Sequence, residues 1–179
     1  MLSPVNAATP LGFDDARHFL NRTSLAAGPA ETDAVAGLTR EQAVDRLLSS
    51  AGKPALTPPP AWMGAPFESL RRFRGMSPEE RKLALRDLFQ KAFELQSWWL
   101  AEMLATPSPL TEKMTLFWHN HFVSSQQKVR SPQLMYRQNV LLRRHALGSF
   151  SSLLHAIARD PAMVIYLDSA SNRKGQPNE

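Results

Sequence analysis

Four proline steps constrain this chain more than any other feature: Ser77-Pro78, Ser108-Pro109, Ser131-Pro132 and Asp160-Pro161, each at the head of an apolar run. A Ser or Asp side chain can accept an orphan amide of a first helical turn. Proline fits the position after it, because the amide proton it lacks would have no partner there. Proline has no place in a central strand, and β-branched alternating runs bounded by turn residues are absent. The fold class that follows is all-α, an irregular multi-helix bundle of about seven to eight helices.

The first helix is expected over 13–23, with Ala16, Phe19, Leu20 and Thr23 on one face and a polar stripe of Asp14, His18 and Arg22 on the other. Short helices are expected over 31–37 and 40–49. The capping box from Thr39 to Gln42 opens the second, and Ala43, Val44, Leu47 and Leu48 form its buried stripe. The prolines of "AGKPALTPPPAWMGAP", 51–66, exclude a long helix there. A loop or strap pinned by Trp62 is expected instead. The longest helix begins with a second capping box at Ser77 and Glu80 and runs to 105. Leu85, Leu88, Phe89, Ala92, Phe93, Gln96, Trp99, Leu100 and Met103 trace its expected core face. Further helices are expected over 109–123, from Pro132 to near 148, over 149–159, and from Pro161 through "AMVIYL".

With 179 residues and 43% hydrophobic content, the chain suffices for a single helical domain. The absence of cysteine excludes disulfides, thiolate metal sites and a thiol nucleophile. No run of eighteen apolar residues occurs, so no membrane span is expected; the first residues have neither a basic n-region nor an apolar run of signal length, so no signal peptide is expected. The net charge of +5 is unevenly distributed. Residues 113–159 hold seven cations and not one Asp or Glu, leaving about −2 for the rest.

Within this basic block lies "FWHNHF", Phe117 to Phe122. On a helix, His121 falls on the most apolar face and His119 about 200° from it. The two imidazoles therefore cannot grip one metal ion, and no metal site is expected. Crowding by Leu116, Trp118, Phe122 and Val123 implies a helix surrounded by protein, with His119 and Asn120 at least partly buried. Two readings stand: a polar knot that fixes helix packing, or an acid/base or ligand-orienting group at a cleft, with His119, His121 and Asn120 as catalytic candidates. Arg143 and Arg144 cannot both face the core, so at least one is available to an anion or a carboxylate. Asn172, Arg173 and Lys174 before Gly175 have the composition of an anion-binding turn. Neither phosphate-loop signature is present, and no nucleic-acid reader motif occurs, so a nucleic-acid partner is not expected.

The segments "ARHFLNRTSLAAGP", "LTEKMTLFWHNHF" and "QNVLLRRHALGSFSSLLHAIARDPAMVIYLDSASNRKGQPNE" together resemble the bacterial family called domain of unknown function 1800. The resemblance implies a longer family domain that continues past Pro177, Asn178 and Glu179 into an acidic helix, so the chain is expected to be an N-terminal portion. It implies an acidic C-terminal half as partner, with Arg143, Arg144, Arg173, Lys174, Asn178 and Glu179 on the anion- or partner-binding side. It also implies frequent export, alongside a sulfatase-like exported protein. Cofactors are left open. The functional expectation is an enzyme half acting on an anionic or carbohydrate-like substrate in the cell envelope. The alternative is a non-catalytic structural or interaction module of an exported complex.

Overall fold

The computed structural model describes residues 9–25, 27–65 and 70–176. Among these the architecture is all-α, with no sheet. The α-helices are α1 (Gly12–Thr23), α2 (Pro29–Ala36), α3 (Arg40–Ser49), α4 (Pro78–Ala105), α5 (Pro109–His121), α6 (Gln126–Val129), α7 (Pro132–His145), α8 (Phe150–Ile157) and α9 (Pro161–Tyr166). The single-turn α6 is the one that periodicity could not reveal, since four residues hold no repeat. No described helix is long and apolar enough to cross a membrane.

The expected caps form. Thr39 Oγ1 accepts from Gln42 N at 3.3 Å and Ser77 Oγ from Glu80 N at 3.2 Å, and each glutamine or glutamate reaches back to the cap amide. Asp160 Oδ2 accepts from Met163 N at 3.0 Å. Ser108 is the exception: its hydroxyl donates to Ser50 O and accepts from Lys53 N, so it anchors the strap and does not cap α5.

That strap runs antiparallel to α4. Gly52 N donates to Thr111 Oγ1, Leu56 N and Thr57 N to the Glu102 carboxylate, and Trp62 Nε1 to Glu94 Oε2, while Thr57 O accepts from Trp98 Nε1. Trp62 is thus one of several pins.

The expected core face of α4 is corrected. Leu85, Phe89, Phe93, Leu100 and also Leu104 are exposed, whereas Trp98 and Glu102 are buried. This helix is apolar around much more than half its circumference, so periodicity alone cannot select the inward side. The hydrogen bonds of Trp98 and Glu102 to the strap select it. Val44 and Leu48 of α3 are likewise exposed, and only Ala43 of that stripe is fully buried. The core lies around α7, in one cluster of Val129, Leu134, Met135 and Ala162 and a second of Leu142, Leu153, Ile157 and Met163. A third, smaller cluster of Ala16, Val35 and Ala43 joins α1, α2 and α3.

Candidate functional site

Helix α5 turns its polar side inward. Thr111, Glu112 and Thr115 are buried and His119 half-buried, whereas Phe117, Asn120, His121 and Val123 are exposed. The two histidines do point to different sides, but the expectation that His121 occupies the buried face is corrected. Its ring stacks on Phe117 with centroids 6.2 Å apart, beside Trp118 and Phe122, in an aromatic cluster at the surface. Nothing brings His121 or Asn120 to His119.

What draws the polar side of α5 inward is a buried ion pair. Arg143 of α7 donates from Nε to Glu112 Oε1 at 2.5 Å and from Nη2 to Oε2 at 3.0 Å. Trp99 Nε1 donates to the same Oε2 at 3.1 Å, and the guanidinium lies 5.3 Å from the Trp98 ring centre. The carboxylate that answers Arg143 stands one residue before the acid-free block begins, so Arg143 is not waiting for an acid from elsewhere. Other cations of the block are also engaged: Lys128 pairs with Asp168 at 2.6 Å, and Lys113 caps the end of α1 through Asn21 O and Ser24 O. Arg144 is exposed. Asn172, Arg173 and Lys174 are exposed in a turn closed by Arg173 N to Gln176 O and Gln176 N to Arg173 O, with Gly175 at φ +85°. Asn178 and Glu179 lie outside the described residues.

Beside the ion pair is a cavity of about 380 Å³ between α4, α5, α6 and α7, walled by Leu95, Trp99 and Met135 and reached by His119, Gln126 and Asn139. The His119 ring meets Trp99 edge-on at 5.1 Å. Burial lowers its pKa below the usual histidine value, so at neutral pH it is an uncharged imidazole, one nitrogen a donor and the other an acceptor. Asn139 is 5% exposed, and neither its amide nitrogen nor its oxygen has a hydrogen-bond partner among the described residues; nor has Gln126 Oε1. Each such buried polar atom costs about 1–3 kcal/mol if left unpaired.

The neighbouring amide shows the contrast. Gln138 is fully buried, yet its Nε2 donates to Asp160 Oδ2 at 2.9 Å and its Oε1 accepts from Ser124 Oγ. Desolvation raises the pKa of Asp160, against the donors Met163 N and Gln138 Nε2 that lower it. Gln138 is a structural link from the loop before α6 to the start of α9. Asn139, one residue on, is placed equally deep and left unlinked. Sequence reasoning missed Asn139 and Gln126. The available signal was an amide pair at 138–139 on the same helical face as Met135 and Leu142, where apolar residues belong.

Among the described residues, no group of three or more His, Asp or Glu side chains could hold a metal ion. No curated protein and no solved structure matches the chain. The model of one family, described as a protein of unknown function (DUF1800), matches residues 18–179. With nearly all of its length so matched, the chain belongs to the DUF1800 family.

Proposed function

We propose that this chain supplies a small-molecule site, one wall of an envelope enzyme, and that its ligand is uncharged and carbohydrate-like. One observation carries the reading. Among the described residues, the three buried side-chain polar atoms without partners, on Gln126 and Asn139, belong to two residues that line the same cavity as His119. Of the two ligand classes expected, anionic and carbohydrate-like, the second fits better, because no Lys, Arg, Asp or Glu lines the cavity among the described residues. A primary amide and a neutral imidazole answer hydroxyl groups, which both donate and accept. The indole and aliphatic walls cover the apolar face of a small ring, and the volume lies in the range of small-molecule pockets. His119 is the group placed to take a proton from such a ligand.

Titrating the chain with neutral monosaccharides while following the Asn139 side-chain amide and the His119 ring by NMR tests this. Saturable shifts at both groups are expected; the His119 shift should be lost in Asn139→Leu, and both should weaken as pH falls through the depressed pKa of His119. Shifts confined to other residues, or seen only with acidic sugars, would refute it.

The non-catalytic module remains the second reading, favoured by the exposed apolar side of α4 at Leu85, Phe89, Phe93, Leu100 and Leu104. That side would be the docking surface for a sulfatase-like exported protein, the partner that the resemblance implies. Arg144, Arg173 and Lys174 are the exposed cations an acidic C-terminal half would meet. Arg143 is already paired with Glu112 and is not among them.

A further inference from the structure

A second cavity, of about 420 Å³, lies at the start of α4. Three arginines from separate segments line it: Arg74 from the 3-10 turn Leu70–Gly75, Arg81 from α4, and Arg130 from the residue that ends α6. No carboxylate lines it among the described residues, and its floor is apolar, formed by Phe73, Leu85 and Leu88. The arginines are exposed, and none has an ion pair among the described residues. Arg130 adopts a left-handed backbone, φ +53°, a position usually taken by glycine or asparagine at a helix end. Its Nε donates to Gln127 O at 3.3 Å. The chain thus carries a long cation where its backbone favours glycine, and that cation joins two others around one hollow.

We propose that this cavity binds a phosphate monoester bearing an apolar group. Three guanidinium groups suit a dianion with three terminal oxygens better than a singly charged carboxylate. Phe73, Leu85 and Leu88 suit the apolar group attached to it. The site is separate from the His119 cavity, shares no lining residue with it, and does not depend on that reading. The same chemistry is presented by a soluble aryl phosphate and by a phosphatidate headgroup with its acyl chains.

Calorimetry with phenyl phosphate and with inorganic phosphate, and co-sedimentation with vesicles containing phosphatidate or phosphatidylcholine alone, test the site and separate the sources. Phenyl phosphate is expected to bind at least tenfold more tightly than inorganic phosphate. Arg130→Gly should weaken that binding tenfold or more without lowering the melting temperature, since glycine accepts the positive φ. Arg81→Gln, on a different element, should do the same. Phosphatidate-dependent sedimentation lost in both variants would assign the lipid source, and its absence with phenyl phosphate binding intact would assign the soluble one. The site is disproved if neither phenyl phosphate nor phosphatidate binds, if phenyl phosphate gains nothing over inorganic phosphate, or if both variants bind as the parent does.

Discussion

Replacing Glu112 with Ala is expected to lower the unfolding free energy by about 3–5 kcal/mol, the loss typical when one partner of a buried ion pair is removed. Glu112 is 1% exposed, and its carboxylate answers both the Arg143 guanidinium and the Trp99 indole. Removing it leaves a buried cation and an indole donor unpaired at the contact between α4, α5 and α7. The loss should therefore exceed that of a simple cavity at the same place. Glu112→Leu combined with Arg143→Met removes both charges together and should recover most of it. Urea unfolding followed by circular dichroism measures both variants. A loss below about 1 kcal/mol in Glu112→Ala would mean that the pair does not organise this contact.

The second large effect is expected at Glu102. Its buried carboxylate accepts Thr57 N at 2.7 Å and Leu56 N at 3.2 Å and so holds the proline-rich strap against α4. Glu102→Leu removes two charge-assisted hydrogen bonds. Each is worth about 1.5–3 kcal/mol, less what water restores to the released amides, giving a net loss of about 2–4 kcal/mol. The effect should also be local. Amide exchange should quicken over residues 52–62 and at Trp98, whose indole loses its strap carbonyl, while α7 and α8 stay protected. Uniform acceleration across the chain would show that the strap is integral to global folding and not a separable layer.

Helix starts were the most legible part of the fold. Ser77, Thr39 and Asp160 cap as their spacing demands, because capping is settled by neighbours three residues away. The side of each helix that turns inward was much less legible. On α4 and α5 apolar residues occur all round, and the choice between sides falls to polar contacts over long separations, such as Glu102 to Thr57 and Glu112 to Arg143. Those pairings are invisible to periodicity. The acid-free block led to the expectation that Arg143 meets an acid of a C-terminal half, whereas its carboxylate is Glu112, one residue outside that block. In "FWHNHF" only His119 reaches the cavity. Of the aromatic residues beside His121, Phe117 is exposed and stacks on it, while Trp118 and Phe122 pack on the Leu142, Leu153, Ile157 and Met163 cluster, and His121 itself stays exposed.

The cavity account rests on Asn139 being kept for a ligand at the expense of the empty fold, and the stability of Asn139→Leu is the most direct measure of that. Leucine has nearly the same shape and no polar atoms to leave unpaired. The account predicts that the substitution stabilises the free protein, by about 1–3 kcal/mol in urea unfolding. A loss of stability of about 1 kcal/mol or more would show that the Asn139 amide is bonded within the fold, and would contradict the site.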